Sequence, residues 1–203
     1  GNNKGIASSL NNIGLIYHDQ DDLAKAIDYY TRSLKIYEKI GDKNKIAISL
    51  NNIGLIYKDQ GDYAKALDYH TKSLKINEDI GNKRRIAYSL NNIGLIYYNQ
   101  GDYAKAIDYY TKSLKIREEI GDKQGIASSL NSIGVVYLEQ GDYSKALDKS
   151  TKALNIAQEI GSVLNINNAS ESLWEINKKL KKHRKALEMH ELYIQMRDSI
   201  LSI

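Results

Sequence analysis

The nine-residue stretch SLNNIGLIY stands unchanged at residues 9–17, 49–57 and 89–97. Outward from this stretch the similarity continues, because residues 41–80 and 81–120 are identical at 30 of 40 positions. A period of this length indicates one supersecondary unit repeated along the chain. Since Gly1 falls at a repeat boundary, we expect the chain to be a fragment of a longer protein. We predict a single array over 1–203, with repeats 1–40, 41–80, 81–120 and 121–160 and a degenerate repeat 161–203.

Each repeat is predicted to be a helical hairpin. In the third repeat Ile86, Leu90, Ile93 and Tyr97 are spaced 4, 3 and 4 residues apart, which is the apolar stripe of an α-helix. We call this segment helix A. A second stripe of the same kind predicts helix B, and it comprises Tyr103, Ala106, Ile107, Tyr110 and Leu114.

Glycine marks both the turns and the packing of the predicted hairpins. Gly101 suits a left-handed end to helix A, and Asp102 can cap the next helix. Inside helix A, glycine costs about 1 kcal/mol relative to alanine, so we attribute it there to close packing against helix B. These internal glycines are Gly14, Gly54, Gly94 and Gly134. The turn pairs after helix B are Gly41-Asp42, Gly81-Asn82, Gly121-Asp122 and Gly161-Ser162.

Composition and charge exclude several functional classes. The net charge of +4 is outweighed by one basic run, 178–185, so no basic face follows the whole array as nucleic-acid binding would require. Apolar runs are too short to span a membrane. There is no cysteine, no nucleophile or phosphate-loop motif, and no paired histidine among His18, His70, His183 and His190. We therefore predict a protein that is not an enzyme and binds no metal or cofactor.

The repeated residues resemble a known family. The pattern L-x-x-I-G-x-x-Y followed by G-D-Y-x-x-A-[IL]-x-x-Y is similar to the tetratricopeptide repeat (TPR), in the 40-residue form of kinesin light chain and Pins-type adaptors. TPR regions of bacterial signalling proteins are similar too. The resemblance implies an all-α, right-handed superhelical solenoid of about five helical hairpins. It also implies that helix A residues line a concave groove that binds a peptide or protein segment.

The fifth repeat departs from the pattern. Trp174 replaces the packing glycine and Lys181 replaces the turn glycine. The tail ALEMHELYIQMRDSIL (186–201) resembles the last repeat in the sensor regions of bacterial histidine kinases. Apolar residues at the end of the chain, Ile200, Leu201 and Ile203, indicate that self-association through exposed repeat ends can occur.

Asparagine is the most informative residue type, because it disfavours helix interiors and yet recurs in the middle of helix A. A ladder of carboxamides can hold the N–H and C=O groups of an extended peptide. The alternative is that one asparagine of each pair bonds a neighbouring helix and adjusts packing. Neighbouring cations and tyrosines predict an acidic partner segment with aromatic anchoring. The candidate peptide-binding residues are Asn12, Asn52, Asn92, Asn11, Asn51, Asn91, Asn131, Lys45, Lys58, Arg84, Arg85, Tyr88 and Tyr98.

The leading hypothesis is a non-catalytic scaffold that binds a protein segment in the helix A groove. One alternative is a sensory or dimerising input region of a bacterial signalling protein such as a membrane histidine kinase. Another is an engineered repeat protein, suggested by the near identity of the first three repeats. We expect a cytoplasmic location, or a periplasmic one if the histidine-kinase resemblance holds.

Overall fold

The structure is a computed structural model that describes residues 3–202. Over that range it contains ten α-helices and no strand. Gly1 and Ile203, which the sequence analysis invoked at the chain ends, lie outside the described residues. The helices are α1 (Asn3–Asp19), α2 (Leu23–Ile40), α3 (Lys43–Asp59), α4 (Tyr63–Asp79), α5 (Lys83–Asn99), α6 (Tyr103–Glu119), α7 (Lys123–Glu139), α8 (Tyr143–Glu159), α9 (Val163–Lys179) and α10 (His183–Leu201).

The helices alternate along the chain as five consecutive A and B helices, so the all-α TPR-like repeat fold is confirmed. The chain divides into two compact units between Gln100 and Gly101. The prediction of a single array over 1–203 stays a prediction. No helix within 3–202 is long and apolar enough to cross a membrane.

The first unit contains α1 to α5. Helix α1 packs on α2, α3 packs on α4, and α2 and α4 each pack on the helix that follows. Its core lies between α2 and α3, where Ile53 and Ile56 are fully buried. Burial of each such side chain contributes about 1.5–3 kcal/mol to folding. The remaining buried members of this core are Ala26, Tyr30, Leu34 and Leu50.

The second unit contains α6 to α10. Helix α7 packs on α8 and α9 on α10, and α6 and α8 each pack on the next helix. The apolar core joins α7, α8 and α9 through Leu130, Leu154 and Leu173. Neighbouring repeats thus share one core within each unit, as a stacked repeat requires.

The predicted caps form at most repeat boundaries. Asp42, for example, accepts a hydrogen bond from the backbone N–H of Lys45 at 3.2 Å, which satisfies one of the free N–H groups of the first turn. Ser162 differs from the prediction because its side chain makes no capping hydrogen bond, and neither does that of Lys182. The residues that do cap are Asp22, Asp42, Asp62, Asn82, Asp102, Asp122 and Asp142.

The turns between helix A and helix B are left-handed. Gly61 and Gly101 have φ of 76° and 77°, respectively. Asp21 and Lys181 occupy the same turn position with φ of 59° and 56°. A side chain in this conformation is strained, since its Cβ approaches the following carbonyl group.

The glycines inside helix A are confirmed as close-packing positions in three repeats. A Cβ on Gly14 would lie 2.8 Å from the Tyr30 ring, and one on Gly54 would lie 2.9 Å from Nε2 of His70. At Gly134 it would collide with the Ser150 hydroxyl. Each glycine therefore admits a helix B side chain that an alanine would displace.

Trp174 takes the place of this glycine in the fifth repeat. Its ring lies 4.1 Å from the ring of His190, centroid to centroid, and the Lys178 ammonium lies 4.6 Å from it. Helix α10 buries only Ala186 among its described residues. Two of the three predicted exposed end residues can be placed, with Ile200 38% and Leu201 78% exposed.

Candidate peptide-binding site

The paired asparagines of helix A bond across the repeats of the first unit. Asn52 Nδ2 donates to Asn11 Oδ1 at 3.2 Å, and Asn92 Nδ2 donates to Asn51 Oδ1 at 3.0 Å. The first asparagine of a pair accepts, and the second asparagine of the next pair donates. Inter-repeat bonding, the alternative raised from the sequence, is thus present for both members of a pair. These hydrogen bonds offset the poor helix propensity of asparagine.

His70 on α4 joins this network. Its Nδ1 lies 3.1 Å from Asn51 Oδ1, and because a carbonyl oxygen only accepts, Nδ1 carries the proton. The side chain is fully buried. Burial, and secondly the positive charge of Lys58, lower the pKa of His70 to about 4. The histidine is therefore neutral at pH 7 and serves as a donor in the core.

The other asparagines have different surroundings. Asn12 is exposed, whereas Asn92 is 5% exposed. Asn91 Oδ1 is buried and has no hydrogen-bond partner among the described residues. In the second unit, Asn131 Nδ2 donates to the backbone carbonyl of Asn168 at 3.3 Å. The seven asparagines are therefore not one continuous set of free carboxamides.

The predicted cations also differ in what they contact. Lys58 forms an ion pair with Asp59 at 2.8 Å, and His18 of the preceding repeat lies 2.9 Å from the same carboxylate. Burial opposes ionisation of Asp59, but these contacts outweigh it and hold its pKa below the ordinary value. Arg84 is exposed and Arg85 half-buried. Within residues 3–202 the Arg85 guanidinium makes no hydrogen bond or ion pair.

Two cavities lie on helix α5 in the first unit, and Arg85 and Tyr88 line both. The smaller, of about 190 Å³, lies among α3, α4 and α5. The larger, of about 460 Å³, is completed by Asn82 and Arg84. We call the smaller one the Asn77 cavity, after the α4 residue in its wall. Its lining residues are Ile48, Asn51, Asn52, Asn77, Arg85, Tyr88 and Ser89.

The structure thus brings together five of the predicted site residues: Asn51, Asn52, Arg84, Arg85 and Tyr88. Among the described residues that line these two cavities, Lys45, Lys58 and Tyr98 are absent. Sequence reasoning missed Asn77, because it considered helix A alone. A signal was available, since Asn77 and Arg117 are among the ten differences between the second and third repeats. Over 3–202, no group of three or more His, Asp or Glu side chains could hold a metal ion.

The family model described as "Tetratricopeptide repeat" matches residues 5–79 and 85–159. The chain belongs to the tetratricopeptide repeat family. The TPR match covers the first four repeats, in agreement with the degenerate pattern of the fifth. A comparison with curated protein sequences finds no match.

Solved structures confirm the TPR fold. BtubC (BKLC) from P. vanneervenii has a TM-score of 0.83 at 19% identity, over 99% of this chain and 83% of that one. The nearly identical TPR-like repeats of a Podospora anserina protein described as a kinesin light chain give 0.73 at 12% identity, over 95% of each chain. A Rap protein complexed with competence and sporulation factor gives 0.75 at 17% identity, over 98% of this chain and 66% of that one. At these identities the likeness concerns the fold.

Proposed function

We propose that this TPR chain is a non-catalytic interaction module that binds a protein segment on the helix A surface of α3 and α5. One observation carries the proposal: two adjoining cavities share Arg85 and Tyr88, whose polar groups make no hydrogen bond within residues 3–202. Since a fold alone does not establish function, the proposal depends on this surface. The Rap protein complexed with a factor is a precedent for ligand binding by the fold.

The chemistry of this surface favours an acidic segment with an apolar neighbour. Arginine and tyrosine are the residues that most often dominate binding energy at protein interfaces. A carboxylate that meets the Arg85 guanidinium would form a charge-assisted hydrogen bond, about twice as strong as a neutral one. Tyr88 is 48% exposed, so its ring offers area for an apolar side chain to cover.

The asparagines keep a role in this proposal, although a narrower one. A carboxamide nitrogen carries two hydrogens, and Asn52 and Asn92 each use one of them within the repeat stack. The second hydrogen and the Asn52 oxygen remain for a peptide backbone. Replacement of either residue would also weaken repeat stacking, so Arg85 and Tyr88 are the better positions for a binding test.

The test is a selection from a random-peptide display library on the native chain and on a folded Arg85→Ala/Tyr88→Ala variant. The matched control is Lys75→Ala, which removes an exposed cation of α4 that lines neither cavity. We expect the native chain and the control to enrich a common motif with an acidic residue, and the double variant to lose it. Failure of the native chain to enrich any motif would contradict the proposal.

A dimerising role is the second candidate, and exposed apolar residues of α10 favour it. Leu187 is 58% and Leu201 78% exposed, and apolar surface of this kind can mediate association. Sedimentation equilibrium over a range of protein concentrations tests this role. A mass that rises with concentration and returns to the monomer value in Leu187→Lys would support it, whereas a monomer at all concentrations would exclude it.

A further inference from the structure

The carboxamide of Asn77 is almost without hydrogen bonds although it is buried. The residue is 2% exposed, and its Oδ1 has no partner in the described part of the chain. Its Nδ2 lies 3.4 Å from Ser73 Oγ and 3.5 Å from Ser89 Oγ, longer than an ordinary N–H···O hydrogen bond. An unsatisfied buried polar group of this kind costs about 1–3 kcal/mol.

The same register position is occupied differently in the other repeats. Tyr37 is the equivalent residue of the first repeat, and its large side chain is buried. Arg117 of the third repeat donates to the backbone carbonyl of Gly125 at 2.5 Å, and the fourth repeat has the small, fully buried Ala157. Only in the second repeat, within residues 3–202, does this position combine a short amide with an adjoining cavity.

The size of the Asn77 cavity limits what can enter it. Small-molecule sites usually have volumes of about 300–1,000 Å³, and this one has about 190 Å³. One side chain of a bound segment fits a space of that size. The neighbouring cavity of about 460 Å³ leaves room for an adjacent residue of the same segment.

The polar groups in the wall select the chemistry of that side chain. Asn77 Oδ1 requires a donor, whereas the Arg85 guanidinium requires an acceptor. A carboxylate would satisfy Arg85 and leave Oδ1 without a partner, and an ammonium group would be placed against the arginine. A carboxamide supplies both the donor and the acceptor.

We propose that the Asn77 cavity is a recognition pocket for one glutamine or asparagine side chain of the bound segment. The ligand amide donates to Asn77 Oδ1, and the ligand carbonyl accepts from Asn77 Nδ2 or from Arg85. The long contacts of Nδ2 are weak, and the terminal torsion of asparagine is broad, so the Asn77 amide can turn toward the ligand at small cost. The proposal rests on the proposed function in one respect, that the carboxamide belongs to a bound segment.

The test uses N-acetylglutamine amide as the probe and N-acetylglutamate amide as its matched control. Each is titrated into the isotope-labelled chain while the side-chain NMR signals of Asn77 and Arg85 are followed. We expect saturable shifts with the glutamine probe and roughly tenfold weaker binding of the glutamate control, since one donor is lost. Asn77→Leu, which is nearly isosteric, should abolish the difference. Asn77→Tyr, which copies the first repeat, should block the cavity for both probes.

Equal or tighter binding of the glutamate control would overturn the carboxamide assignment, and so would an unchanged preference in a folded Asn77→Leu variant. An absence of shifts with both probes would overturn the pocket itself. These outcomes are separable from failure of the proposed function. Peptides selected on the library without a glutamine or asparagine preference would leave the function standing and remove the pocket, whereas saturable probe binding without any selected peptide would do the reverse.

Discussion

The side-chain nitrogen of Asn92 donates to the side-chain oxygen of Asn51, 3.0 Å away and 41 residues earlier in the chain. Asn52 and Asn11 repeat this relationship at 3.2 Å, again 41 residues apart. The same residue type thus serves as donor and acceptor in successive repeats, because a carboxamide has both groups. These bonds couple α5 to α3 and α3 to α1, so the asparagines contribute to repeat stacking whatever they also bind.

Asn51→Ala is expected to destabilise the chain by about 1–3 kcal/mol, because it removes the acceptor used by Asn92 and leaves a buried donor unsatisfied. His70 Nδ1 loses its partner as well. The measurement is the free energy of unfolding from urea titration. The control is Asn12→Ala, since Asn12 is exposed and should change stability little. Equal effects of the two substitutions would show that the inter-repeat bonds contribute nothing.

Acid is expected to destabilise the native chain through His70. Its pKa of about 4 in the fold lies below the ordinary 6.5, so between these values the unfolded chain binds more protons. Stability therefore falls as pH decreases through this window, by roughly 3 kcal/mol between pH 7 and pH 4. His70→Tyr, which copies Tyr30 of the first repeat, should flatten this part of the stability profile measured by urea unfolding. A profile with the same slope in the variant would rule out His70 as the source.

Gly54→Ala is expected to destabilise the chain by a few kcal/mol, because its Cβ would lie 2.9 Å from the buried His70 ring and overpacking of a core typically costs about 1–3 kcal/mol. His70→Ala also destabilises, but by leaving a cavity. In the double variant the new methyl group enters that cavity, so the combined loss should be smaller than the sum. Thermal unfolding of the four proteins measures this coupling, and strict additivity would contradict the proposed contact.

Lys181→Gly is expected to stabilise the chain by about 1 kcal/mol, since the left-handed conformation costs about 1–2 kcal/mol for a residue with a Cβ. The turn has φ of 56° at Lys181. Asp21→Gly should give a smaller gain, because aspartate tolerates this conformation better than lysine. The reverse change, Gly141→Lys, should lower the melting temperature. If Lys181→Gly leaves the melting temperature unchanged, the turn is not strained in solution.

The site could be predicted only in part. The helix A stripe correctly brought Arg85, Tyr88 and Asn52 to one surface, because residues three and four apart share a helix face. It did not indicate that Lys58 would be neutralised by Asp59, nor that Asn77 of helix B would reach the same cavity. Such contacts depend on how neighbouring helices approach, which the period of one helix does not contain.

The sequence by itself determined the ten helices, their left-handed glycine turns and the aspartate caps, because each depends on residues within one or two helical turns of each other. Repetition of the same 40 residues then determined the TPR fold. Only the tertiary structure decided that Asn92 bonds Asn51, that His70 is buried as a neutral donor, and that a cavity opens beside Asn77. Those outcomes depend on the volume and hydrogen-bonding capacity of side chains from different repeats, which meet only after the helices have packed.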